Sequence, residues 1–209
     1  MIPARILWYF ADPMCSWCWG FAPVISAIHD AYSERIKIAL MLGGLRPGTT
    51  ESVTASFRAE ILHHWQDVHR LTGQPFRFDG AMPDGFVYDT EPPSRAVIVV
   101  SELNPREIFP YFISLQEAFY VQQKDITQAK TLAALAAEHH IETDQFLGRF
   151  FSEEAKKKTQ SNFQITQQAG VRGFPTAVLQ NEKSGKLLTN GYRPFEELRP
   201  IMDTWLAEA

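Results

Sequence analysis

The chain has 209 residues, of which 45% are hydrophobic and 21% charged, and its formal net charge is −4. This composition suits one globular domain with a sizeable core and excludes a disordered or fibrous chain. The small negative charge gives no electrostatic reason to expect nucleic acid or an anionic membrane as a partner. No segment is apolar for long enough to span a bilayer. The first residues lack the basic region, long apolar stretch and cleavage site of a secretory signal, so a cytoplasmic location is predicted.

The N-terminal segment predicts a strand, a helix and a second strand. Residues 5–10 form a short apolar run with aromatic and β-branched side chains, and the turn-forming pair Asp12-Pro13 ends it. In residues 19–32 apolar side chains recur three and four positions apart, which predicts a helix packed on one face. Residues 36–42 predict a second strand that ends at Gly43-Gly44.

The centre of the chain is predicted to be helical. Thr127 and Thr143 are the expected N-caps of two of its helices, and Gly170 is the expected stop of the last one, which is predicted to break near Ser152. The predicted helices cover residues 51–71, 94–103, 105–122, 127–139 and 143–169.

The C-terminal segment returns to strands. Residues 176–180 and 187–189 predict two strands joined by a turn around Ser184-Gly185, and a helix is predicted over residues 194–206. The helical block therefore interrupts one α/β fold, since no internal repeat suggests a second domain. We predict a single domain over residues 1–209, with a core of residues 1–45 and 171–209 and an all-helical insertion of residues 46–170.

Cys15 and Cys18 are the two cysteines of the chain, so neither a disulfide framework nor a four-cysteine zinc site can be built. Cysteines three residues apart at the start of a helix lie on one face and can form a small disulfide ring. Unpaired backbone N–H groups and the helix dipole stabilise a thiolate there. Cys15, expected to be the exposed sulfur, is therefore the predicted nucleophile, and Cys18, one turn inward and more buried, would resolve the mixed disulfide. We predict no metal and no cofactor beyond this redox-active pair.

The residues around the pair are expected to modify its chemistry. Ser16 and Trp17 would tune the stability of the thiolate, and Trp17 would also present a flat apolar surface to unfolded chains. Asp12 is either a turn residue before Pro13 or a proton relay near the pair. Two alternatives are an inert pair and a metal held with distant histidines, but strand, C-x-x-C and helix in succession favour redox chemistry.

The histidine pairs and Phe174-Pro175 are weaker signals. His63-His64 and His139-His140 are adjacent in predicted helices and point in different directions, so structural roles are expected. A proline that opens a strand, as Pro175 does, cannot donate a ladder hydrogen bond. A cis bond there would turn the neighbouring backbone groups toward whatever lies opposite.

The motifs D-P-M-C-S-W-C-W-G-F and G-V-R-G-F-P-T-A-V-L resemble the DsbA-type branch of the thioredoxin superfamily, and the resemblance spans the chain. It is strongest to the FrnE-like and predicted protein-disulfide isomerase subgroup. The resemblance implies a thioredoxin-like fold with a large helical insertion. It also implies that Cys15 attacks, that Cys18 resolves, and that Pro175 is a cis-proline facing them. Phe174 would then offer its backbone to a bound peptide. The Pro-His dipeptide of the periplasmic oxidants is replaced by Ser16-Trp17, so oxidising power is not implied.

The sequence therefore predicts an enzyme, a thiol/disulfide oxidoreductase that acts on protein substrates, with the direction of electron flow open. Its expected partners are thiol- or disulfide-containing proteins, with glutathione as a candidate redox partner. One alternative is a glutathione-dependent transferase or isomerase of the kappa-class type, although such proteins usually carry serine at the position of Cys15. A second alternative is a chaperone-like binding module in which the cysteines are incidental.

Overall fold

A four-stranded sheet forms the centre of the computed structural model, which describes residues 5–182 and 184–208. Its strands, in chain order, are β1 (Ile6–Ala11), β2 (Lys37–Leu42), β3 (Thr176–Gln180) and β4 (Gly185–Asn190). They lie in the spatial order β2-β1-β3-β4. β1 runs parallel to β2 and antiparallel to β3, and β3 runs antiparallel to β4. The predicted α/β class is confirmed, and β4 is longer than the predicted segment 187–189.

Eight α-helices lie in the described residues, and a 3-10 turn, Pro105–Glu107, precedes the fourth. Most of them lie between β2 and β3 in the chain, where the sequence predicts a helical block. The predicted domain boundaries stay a prediction. The helices are α1 (Ser16–Tyr32), α2 (Ala55–Thr72), α3 (Glu91–Leu103), α4 (Ile108–Tyr120), α5 (Ala129–Glu138), α6 (Thr143–Phe150), α7 (Glu153–Gln168) and α8 (Phe195–Ala207).

Two predicted N-caps are wrong. Thr127 lies before α5, whose N-cap is Gln128, because both the N–H and the hydroxyl of Thr127 donate to Asp125 Oδ1 at 3.0 and 2.6 Å. Thr143 is the first residue of α6 and not its cap. Short polar side chains readily form such local bonds, which compete with capping.

Other helix ends follow the sequence more closely. The predicted break near Ser152 is confirmed, since the Ser152 hydroxyl caps α7 by accepting a hydrogen bond from Ala155 N at 3.2 Å. Gly170 follows α7 with φ of 74°, the left-handed conformation that glycine adopts without strain. α2 begins at Ala55, later than predicted, because Thr54 accepts from Phe57 N and caps it there.

Side chains of β1 pack the centre of the sheet against two helices. Leu7, Tyr9 and Ala11 alternate along β1 and are fully buried. The Tyr9 ring stacks on Phe21 of α1 with ring centroids 5.7 Å apart and meets Phe112 of α4 edge-on at 6.4 Å. The strand that leads into the cysteines is therefore fixed by packing against α1 and α4. No helix within residues 5–182 and 184–208 is long and apolar enough to cross a membrane.

Candidate active site

Cys15 occupies the position directly before the first residue of α1. Its backbone is extended, with φ of −88° and ψ of 114°, and its carbonyl accepts from Cys18 N at 3.0 Å and Trp19 N at 3.1 Å. Its own N–H donates to Asp12 O at 3.1 Å. α1 thus begins three residues earlier than predicted, and the Cys15 sulfur lies at the positive end of the helix dipole.

The two cysteines differ in burial in the predicted order, although Cys15 is less exposed than predicted. Cys15 is 6% exposed and Cys18 is fully buried, and both are free thiols. Burial raises the pKa of Cys18 well above its usual value, and a hydrogen bond with Cys15 raises it further. Cys18 therefore holds its proton in the resting dithiol, and Cys15 is the cysteine that a substrate can reach.

Phe174 and Pro175 directly precede β3, and Phe174 lies beside Cys15. The Phe174-Pro175 peptide bond is cis, and the Cys15 thiol donates to Phe174 O at 3.5 Å. The Phe174 ring lies over the end of β2, where a Cβ added to Gly43 would fall 2.1 Å from Phe174 Cζ. The structure therefore brings Cys15 and Phe174 together, and only glycine at position 43 leaves room for the ring.

Asp12 is a fully buried carboxyl group under the start of α1. Its Oδ1 accepts from Met14 N at 2.9 Å and its Oδ2 accepts from Leu45 N at 2.8 Å. Burial raises the pKa of Asp12 from 3.8 to about 6, although these two hydrogen bonds oppose the shift. The charge of Asp12 also contributes to the raised pKa of Cys18. The hydrogen bond from Met14 N makes Asp12 a turn residue. The buried carboxyl group of Asp12 is also an ionisable group beside the cysteine pair.

Three buried tyrosines around the pair were not identified from the sequence. Burial raises the pKa of Tyr9, Tyr88 and Tyr120 far above the usual value, and the charge of Cys15 raises all three further. The Tyr88 hydroxyl donates to Met14 O next to the cysteine motif. The inward face of β1 would have pointed to Tyr9, whereas no local signal connects Tyr88 and Tyr120 to the cysteines.

A pocket of about 400 Å³ opens beside Cys15. It brings together Ser16, Trp17 and Phe174, three of the residues predicted to tune the site or to bind substrate. Pro175 is buried. The remaining lining residues come from the cysteine motif, the loop after β2, α2 and the loop before α3. They are Met14, Leu45, Arg46, Phe57, Glu60, Ile61, His64, Trp65 and Tyr88.

The histidines behave differently from one another. His63 and His64 lie mostly exposed on α2, and His64 lines the pocket. His139 is mostly buried, with Nδ1 2.7 Å from Glu107 Oε2 and Nε2 3.1 Å from Ser114 Oγ. It therefore ties α5 to the start of α4, as a structural histidine does. In the part of the chain that the structure describes, no three His, Cys, Asp or Glu side chains are grouped as a metal site.

A sheet in the order β2-β1-β3-β4, with a dithiol at the start of α1 and a cis-proline directly before β3, defines a thioredoxin-fold protein with a C-x-x-C site. Residues 6–201 match the family model of the DSBA-like thioredoxin domain. The chain therefore belongs to the DsbA-like thioredoxin family.

Several proteins of known structure share this fold along almost the whole chain. A "putative protein disulfide isomerase" from Nitrosomonas europaea matches 98% of both chains with a TM-score of 0.92 and 47% sequence identity. The cytosolic disulfide reductase DsbM from Pseudomonas aeruginosa matches 98% of this chain and 100% of its own, with a TM-score of 0.81 and 26% identity. A second DsbM structure, determined with GSH, has a TM-score of 0.79 and 28% identity over 97% of this chain and 99% of its own.

Curated relatives include longer proteins that are named as adapters. The ClpXP adapter protein SpxH of Halalkalibacterium halodurans is 22% identical over 208 residues, covering 96% of this chain. The chain spans about two thirds of the length of these relatives, 67% of that protein and 66% of SpxH from Shouchella clausii. The adapter function is stated for those proteins.

Proposed function

We propose that this protein is a thiol/disulfide oxidoreductase that exchanges disulfides with protein substrates through Cys15 and Cys18. The observation that carries the proposal is that, of two free thiols at one helix N-terminus, Cys15 lines an open pocket and Cys18 is fully buried. A substrate in the pocket would reach the Cys15 sulfur, and the Cys18 sulfur would react only in the second step, with Cys15. A structural cysteine pair would have no need of this asymmetry.

In the reducing direction, the Cys15 thiolate attacks a substrate disulfide, and one substrate sulfur leaves as a thiolate. Cys18 then loses its proton and attacks Cys15 Sγ, which releases the second substrate sulfur. The substrate gains two electrons and two protons, and the protein retains a Cys15–Cys18 disulfide. The reverse sequence oxidises a substrate dithiol.

We assign the proton of the second step to Asp12. The Cys18 thiol has a raised pKa and needs a base before it can attack. Asp12 is buried beside it with a pKa of about 6, so at neutral pH its carboxylate can accept that proton. Ser16 and Trp17, which line the pocket beside Cys15, would tune the stability of the Cys15 thiolate.

Protein substrates would bind across Cys15, Phe174 and Trp17. An extended chain that pairs with the backbone at Phe174 would be recognised without regard to its sequence. The apolar walls of the pocket, which include Trp17 and Phe57, would hold an exposed side chain of the substrate. We place this activity in the cytoplasm, where the P. aeruginosa reductase that the chain resembles is found.

The test is reduction of insulin disulfides by three variants. Cys15→Ser should abolish turnover, because the attacking thiol is gone. Cys18→Ser should accumulate mixed disulfides that a non-reducing gel and mass spectrometry reveal. Ser26→Ala, on α1 but away from the pocket, is the matched control and should keep wild-type activity. Wild-type turnover by both cysteine variants would refute the mechanism.

The reduction potential decides the direction of electron flow. Equilibration in glutathione buffers, followed by tryptophan fluorescence with thiol trapping, should show a two-electron couple. A value well below about −230 mV argues for a reductant in the cytosol, whereas a higher one, toward about −120 mV, argues for an oxidant or isomerase. The absence of a reversible couple would contradict disulfide exchange and favour the transferase or chaperone alternatives.

A further inference from the structure

The pocket beside Cys15 contains a positive charge that disulfide exchange itself does not use. Arg46 lies in its wall, together with Cys15 and Phe174. The guanidinium carbon of Arg46 is 4.4 Å from the centroid of the Phe57 ring, a cation–π distance. The buried Nε of Arg46 has no hydrogen-bond partner. Among the ion pairs of the described residues, none involves Arg46.

The backbone holds Arg46 in this place. Arg46 N donates to Thr90 Oγ1 at 3.0 Å, and Thr90 N donates to Arg46 O at 3.3 Å. The preceding residue, Leu45, donates its N–H to Asp12 under the cysteines. Asp12 and Thr90 thus fix the backbone that carries the side chain, and the Phe57 ring lies against the guanidinium, while no carboxylate pairs with it. A cation held in place at a reactive centre, with no carboxylate partner of its own, is suited to binding an anion.

The other ionisable groups in the pocket do not neutralise Arg46. Glu60 and His64 both lie on α2, with Glu60 Oε1 4.0 Å from His64 Nε2. Their side chains are 66% and 55% exposed, so solvent screens them. Asp12 is fully buried, its two oxygens accept from Met14 N and Leu45 N, and among the described residues no ion pair joins it to Arg46. The Tyr88 hydroxyl donates to Met14 O.

We propose that Arg46 binds a carboxylate of a small thiol or disulfide substrate whose sulfur reacts at Cys15, with glutathione as the representative ligand. A pocket of about 400 Å³ is of the size that small ligands occupy. Arginine pairs with carboxylates through two parallel hydrogen bonds, which fixes orientation as well as affinity. A carboxylate held there would position the attached sulfur for reaction at Cys15.

The reaction at this site balances as in the proposed function, on which this inference rests. The Cys15 thiolate attacks one sulfur of glutathione disulfide, a mixed disulfide forms, and one glutathione thiolate leaves. Cys18 then displaces the second glutathione and closes the Cys15–Cys18 disulfide. Glutathione disulfide is reduced by two electrons and the dithiol is oxidised by two. In reverse, two glutathione molecules regenerate the dithiol.

The test compares two disulfides on the Cys18→Ser protein, which stops at the mixed disulfide. Glutathione disulfide carries carboxylates, and 2-hydroxyethyl disulfide is uncharged. The rate constant for each is measured by quenching and mass spectrometry. The readout is the rate constant for glutathione disulfide divided by that for 2-hydroxyethyl disulfide. Arg46→Met keeps an apolar stem over Phe57 and should lower this ratio about tenfold, which corresponds to about 1.4 kcal/mol. Arg46→Lys keeps the charge without the planar fork and should give an intermediate ratio.

The control is Arg58→Met, because Arg58 lies on α2 outside the pocket lining and is already paired with Asp84 at 2.8 Å. It should leave the ratio unchanged. If Arg46→Met slows both disulfides equally or changes neither, Arg46 has no carboxylate-binding role and the inference is overturned. If the protein with Arg46 intact reacts with neither disulfide, the proposed function itself fails. The two failures are therefore distinguishable.

Discussion

Replacing Asp12 with asparagine should remove a pH-dependent loss of stability. The folded-state pKa of Asp12 is about 6 and its ordinary value is 3.8. Between these values the folded protein binds more protons than the unfolded chain, so the free energy of unfolding falls as pH rises. A difference of about 2.2 units corresponds to about 3 kcal/mol. This destabilisation is absent below pH 3.8 and complete above pH 6.

The Asp12→Asn variant cannot ionise, so its stability should lack this fall. It also replaces one carboxylate oxygen with an NH₂ group, which donates and does not accept. Only one of Met14 N and Leu45 N therefore keeps its acceptor. Losing one of these buried hydrogen bonds costs about 1–3 kcal/mol at every pH. The variant should therefore be less stable than the wild type near pH 4 and about as stable, or more stable, at pH 7.5.

The assay is urea unfolding of the reduced proteins at intervals between pH 4 and pH 7.5. Subtracting the variant's curve from that of the wild type cancels the contributions of other groups, including Glu91, whose pKa is also raised by burial. If the free energies of unfolding of the two proteins changed in parallel between pH 4 and pH 6.5, Asp12 would not titrate in this range. The proposed proton transfer from Cys18 would then lose its support.

Two further substitutions, each with a companion variant, test one contact at the site and one between α5 and α4. Gly43→Ala would drive a Cβ into the Phe174 ring, so it should cost about 1–3 kcal/mol in urea unfolding. Adding Phe174→Ala should recover part of this loss, and purely additive effects would contradict the contact. His139→Ala removes a mostly buried bond to Glu107 and should cost about 1–3 kcal/mol. The His139→Ala variant should reduce insulin at the wild-type rate, and a loss of this activity would contradict the structural role of His139. As a control, His140→Ala removes the neighbouring histidine and should leave the free energy of unfolding nearly unchanged.

Local patterns predicted β1, β2 and β3 well because each one is a short, mostly apolar run bounded by turn residues. Only residues 187–189 of β4 were predicted, because its ends are polar or glycine. Local patterns also predicted the break at Ser152, where a hydroxyl was free to cap the next helix. The predicted cap at Thr127 was wrong because a competing carboxylate, Asp125, lies only two residues away. Periodicity could not place the start of α1, since the first residues of that helix belong to the cysteine motif.

The cysteine pair was predictable because its chemistry depends on three-residue spacing and on helix position. The rest of the site depends on contacts between distant segments. Tyr88 reaches Met14 across 74 residues, and Arg46 enters the pocket because Thr90 and Asp12 hold its loop. The burial of Cys15 likewise reflects the approach of Phe174. No pattern within a window of the sequence encodes these distances.

The separation of Cys15 from Phe174 sets an order of events during synthesis. The two residues are 159 positions apart, and ribosomes add about 5–20 residues per second, so the interval between them is about 8–30 s. Until then β3 cannot join the sheet, and Cys15 has no Phe174 carbonyl beside it. In the nascent chain the two thiols are therefore present before Phe174 can pack beside Cys15. A chain cut short before residue 174 would expose to the surrounding thiols the pair that the finished fold restricts to one pocket.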